Sequence, residues 1–125
     1  MNSKSIVAAV VGTALFGALV MDANAAGILV KCDRSATRSK ISVDGDGLIT
    51  GNYRAIVISG TNSKTSAARP TVGDEVEFDF DSNPADIAAG ATAIAKTFIQ
   101  GSVTGKIINA KSSVVASDTV ACRVK

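Results

Sequence analysis

Between residues 73 and 86 the chain carries six carboxylates, Asp74, Glu75, Glu77, Asp79, Asp81 and Asp86, and no Lys or Arg. Two kinds of chemistry suit such a stretch. Asp79, Asp81 and Asn83 fall at alternate positions, with Asp86 three further on. Oxygens spaced in this way, where a strand turns into a loop, suit calcium, which takes about six to eight oxygen ligands. Neighbouring carboxyls can also work as acid and base in hydrolysis, provided that a cleft raises the pKa of one of them. The competing reading makes Glu75, Glu77, Asp79 and Asp81 the solvated face of one strand, discouraging edge pairing, with Asn83 and Asp86 capping a helical turn. No sequence feature signals a cleft, so neither catalytic nor metal-ligating residues are expected. A calcium-stabilised module using 74–86 stands as the first alternative and a small carboxylate-based hydrolase as the second. Asp44-Gly45-Asp46-Gly47 lacks the distant Glu of a calcium loop and reads as a turn.

Other chemistries are missing outright. The 125 residues contain no His and no Trp, and both methionines, Met1 and Met21, lie within the first 25. Without imidazole there is no Ser–His or Cys–His nucleophile pair and no usual zinc or copper site. Ser59, Ser63, Thr65 and Ser66 around Lys64 lack the S-x-x-K framing of a Ser–Lys pair and read as loop composition. Lys31, Arg34, Arg38, Lys40 and Arg54 would suit an anionic surface. The aromatics after residue 25 are Tyr53, Phe78, Phe80 and Phe98, too few for a nucleic-acid stacking platform. A non-enzyme without cofactor is therefore expected, and its partner is a protein or a second copy of itself.

The net charge of +2 conceals three blocks: residues 26–72 carry +4, residues 73–86 carry −6 and residues 87–125 carry +4. A negative strip between positive segments attracts a cation or the basic side of a neighbouring copy.

The first 25 residues have their own pattern. Lys4 precedes the 15-residue apolar run from Ile6 to Val20, and Ala23-Asn24-Ala25 follows. This is the plan of a secretory signal peptide, cut between Ala25 and Ala26. The run is shorter than the roughly 20 residues that a spanning helix needs, and no membrane span is expected beyond it. A bacterial periplasmic or extracellular protein follows as the expectation. Export places Cys32 and Cys122 in an oxidising compartment, where two cysteines predict one disulfide enclosing nearly the whole domain.

From Ala26 onward the apolar period is two rather than 3.6, which predicts a single all-β domain over 26–125. Strands are expected at 28–32, 40–43, 53–59, 75–81 and 102–108, then at 114–115 and 119–124. Residues 60–74 read as a long surface connection. Asn83-Pro84, with Asp86 following, predicts one or two helical turns near 84–89, then a strand near 93–99; a helix over 84–98 in an α+β fold is the alternative. About seven short strands and one long-range disulfide predict an immunoglobulin-like β-sandwich, whose terminal strands would leave edges open to pairing.

Overall fold

A computed structural model describes residues 26–125. The expected signal peptide, including Ala23 and Ala25, lies outside the described residues. Ten strands and one short helix follow in order: β1 (Gly27–Arg34), β2 (Ser39–Asp46), β3 (Asn52–Ser59), β4 (Asn62–Thr65), β5 (Arg69–Pro70), β6 (Val76–Asp81), α1 (Pro84–Ala88), β7 (Thr92–Ala93), β8 (Ser102–Ile108), β9 (Val114–Ala121) and β10 (Arg123–Val124). The first sheet has the order β9-β8-β3-β4, with β5 also on β3; the second has the order β10-β1-β2-β6-β7. The result is an all-β sandwich with one helical turn.

Period two decides which residues fill the space between the sheets. Val76, Phe78 and Phe80 of β6 are buried, as are Ile41 and Val43 of β2 and Ala55 and Val57 of β3. Burying each phenylalanine stabilises the fold by about 2–3 kcal/mol. The sheets approach closely at Gly105 of β8, where a Cβ would lie 2.7 Å from a Val30 methyl. Cys32 of β1 is bonded to Cys122, their Cα atoms 4.8 Å apart. Cys122 is where the chain leaves β9 in the first sheet to enter β10 in the second. Closing so long a loop stabilises the fold by about 4–5 kcal/mol in the chain-entropy model.

Five local expectations need correction. Residues 60–74 hold β4 and β5, which pair with Ile56–Ser59 and Asn52–Tyr53 of β3. Residues 63–65 and 69–70 are exposed, so no apolar alternation marks these edge strands. The strand expected at 93–99 is confined to Thr92–Ala93, parallel to Phe80–Asp81. Ile94, Phe98 and Ile99 are buried, but side chains hold the backbone there: Ser39 Oγ donates to the Lys96 carbonyl at 2.8 Å and accepts from Ile99 N–H at 3.3 Å. The helix ends at Ala88, before Gly90 at φ 118°, so the 84–98 helix does not form. Asp44-Gly45-Asp46 continues β2, whose pairing with both β1 and β6 outweighs local turn preference; the turn begins at Gly47, φ 64°. Finally, residues 114–121 form one strand with a bulge between Val114 and Ala116.

Candidate interaction surface

The outward positions of β1, β2 and β6 stand in rows across the second sheet. Leu29, Asp44 and Glu77 form one row, Lys31, Ser42 and Asp79 the next, and Asp33, Lys40 and Asp81 the third. All three β6 members of these rows come from the acidic stretch, because its carboxylates alternate with the phenylalanines that enter the core.

The rows differ in what faces them. Asp81 has a side chain only 3% exposed and is clasped by Arg38, whose Nε donates to Oδ1 at 2.9 Å and whose Nη2 donates to Oδ2 at 2.6 Å. The same Nη2 reaches Asp86 at 2.9 Å. Burial alone would raise the Asp81 carboxyl; the Arg38 hydrogen bonds, together with backbone N–H donors of Asn83 and Ser82, outweigh it and hold the pKa below the ordinary value. Asn83 is the helix cap, its Oδ1 accepting from Ala85 N–H at 2.9 Å. Asp79, Asp81, Asn83 and Asp86 therefore do not converge on one point: a guanidinium lies between two of them, the third caps a helix and Asp79 stands a row away. Among the described residues no group of three or more acidic or sulfur ligands is placed to hold a metal ion.

At the opposite end of the face, Asp44 stands directly across from Glu77 and diagonally from Asp79. Partial burial raises the Asp44 pKa, and the charges of Glu77, Asp79 and Glu75 add to that rise against the weaker opposing effect of Lys31. Among the described residues, Asp44, Glu75, Glu77 and Asp79 make no ion pair; the cations that do pair are Arg38, and Arg123 and Lys125 on Asp33. A groove of about 610 Å³ runs beside β6, between Glu77–Asp81, the Ala89–Thr92 turn and Ser66–Arg69.

The five basic residues do not make one patch. Arg34, Arg38 and Lys40 line a depression with Asp33 and Lys125, Lys31 lies a row away, and Arg54 belongs to the first sheet. Arg54 projects from that sheet's outer face with Ile56 and Ile58 of β3, beside Thr104 and Lys106 of β8.

Ser59 and Ser66, which sequence composition assigns to loops, hold backbone. Ser59 Oγ donates to the Ser102 carbonyl and accepts from Gln100 N–H, both at 2.7 Å. Ser66 Oγ accepts from Ala55 N–H at 2.9 Å. Sequence reasoning missed Arg38 as the partner of Asp81, 43 positions away; its place just before an expected strand was the one available signal. No protein-family model matches the chain, and no curated protein matches its sequence.

Proposed function

We propose that the mature chain is an exported, non-catalytic interaction module of the periplasm or cell surface, on an immunoglobulin-like frame, that docks a cationic protein surface at the acidic end of its second sheet. One observation carries this reading: Asp44, Glu77 and Asp79 share a face, and among the described residues no cation is paired to them. Like charges set across neighbouring strands oppose folding, so a docked cation relieves a cost that the free domain bears. Export is supported by the leader pattern and by the Cys32–Cys122 disulfide, a bond suited to an oxidising compartment. Among the described residues no helix is long and apolar enough to cross a membrane.

Carbodiimide joins a carboxylate to an amine only where the two touch, and so tests the reading in the export compartment. Amide links from Glu77 or Asp79 to a lysine of a bound protein are expected, and their loss in Glu77→Gln/Asp79→Asn. Links confined to other carboxylates would overturn it.

A further inference from the structure

We infer that the cationic surface docked by the acidic face is the outer face of the first sheet on a second copy of this chain, so that copies stack head to tail. This inference rests on the functional reading above and names its partner.

The outer face of the first sheet is complementary in charge to the Asp44–Glu77–Asp79 end of the second sheet's outer face, beside which Lys31 and Lys40 also stand. On the first sheet, Arg54 is opposite Ile108 and Lys106 is opposite Ile56, which makes the two cations diagonal neighbours. On the second sheet Asp44 and Asp79 are also diagonal neighbours, on the opposite diagonal of their ladder, since Asp44 faces Glu77 and Asp79 faces Ser42. Both diagonals span about 7–8 Å. Neither Arg54 nor Lys106 pairs with a carboxylate among the described residues, and β3, β8 and β9 place no acid on that face: Asp118 sits opposite Gly105, on the core side. Apolar surface lies between the charges on each side. Ile56 and Ile58 are half-buried beside Lys106, while Leu29 is 52% exposed beside Asp44. Docking would cover these apolar groups and bring opposite charges together at the rim, as in other specific interfaces.

The sheet edges offer a poorer route. The long free edge, β9, carries both a bulge and the core-side Asp118, two devices that discourage strand addition. Because the contact joins two different faces, a docked pair keeps one free face of each sign, the basic face of one copy and the acidic face of the other. The interface is heterologous, and growth continues instead of stopping at a two-fold dimer.

Sedimentation of the purified mature protein tests this with two charge-removing surface variants, Arg54→Gln/Lys106→Gln and Glu77→Gln/Asp79→Asn, each checked for an unchanged melting temperature. The wild type is expected to show a ladder of masses rising with concentration at low salt and collapsing at about 0.5 M salt. Each variant alone is expected to dissociate at least about tenfold more readily. Mixed, the two should form a one-to-one dimer that grows no further, since each retains one working face. A wild type that stays monomeric or stops at a dimer would overturn the stacking, as would a mixture that forms no dimer. Glu77 or Asp79 linked to a foreign protein in the compartment, beside a monomeric purified chain, would end the second-copy assignment and keep the docking face. Links that avoid the acidic face altogether would end both.

Discussion

Asp79 and Asp81 leave β6 on the same face, two residues apart, and have opposite fates. Asp81 is buried beneath Arg38 and closes one end of the second sheet; Asp79 is exposed, makes no ion pair among the described residues and has Asp44 and Glu77 as well as Lys40 for neighbours. Their own residue type and spacing are the same. What separates them is a guanidinium delivered from the segment before β2, and with it a division between a carboxylate that holds the domain together and one that makes no ion pair among the described residues.

Breaking the clasp tests that division most severely. Arg38→Ala leaves a buried carboxylate without its cation and should lower stability by about 3 kcal/mol, read as the urea midpoint. Replacing both partners, as Arg38→Met with Asp81→Leu, should recover most of that loss, because no buried charge remains. The pH dependence of the two ends should have opposite signs. Asp81 titrates below its unfolded value of about 3.9, so its contribution is full above that pH and disappears as pH falls through the folded pKa. Asp44 titrates above its unfolded value; it costs stability near neutrality, and protonation removes the cost. Carbon-detected NMR of the two carboxyls checks the order directly. Asp86→Ala removes the exposed arm of the clasp and should cost less than about 1 kcal/mol. Smallest of all, Glu77→Gln/Asp79→Asn should leave stability unchanged or raise it by a few tenths of a kcal/mol, because like charges are relieved.

The two carboxylates also mark what the sequence discloses. Strand β6 was legible because alternation of Val76, Phe78 and Phe80 with acids is local and has one explanation. The Asn83-Pro84 helix start was legible for the same reason. The disulfide needed only two cysteines and a compartment. Strand β4 was not legible, since Asn62–Thr65 is held by the backbone of β3 and carries no apolar side chain into the core. The segment after β7 misled because Ile94 and Phe98 are buried without a ladder: Ile94 N–H donates to the Asp81 carbonyl, the Phe98 carbonyl accepts from Asn62 Nδ2, and Ser39 Oγ fastens Lys96 and Ile99 around them. In the sequence the acidic strip is one feature because its charge is contiguous; its partition depends on Arg38, which no spacing rule connects to it.

The disulfide has a mechanical meaning as well. Tension applied between residues 26 and 125 enters the fold at Cys32 and leaves at Cys122 through a covalent bond, bypassing the residues enclosed between them. The oxidised domain can lengthen only through its short outer segments, about 30 Å when taut. Once the bond is reduced, the same pull can draw out the entire described span, about 340 Å. Held by its ends, the molecule is an inextensible link until a reductant turns it into a tether.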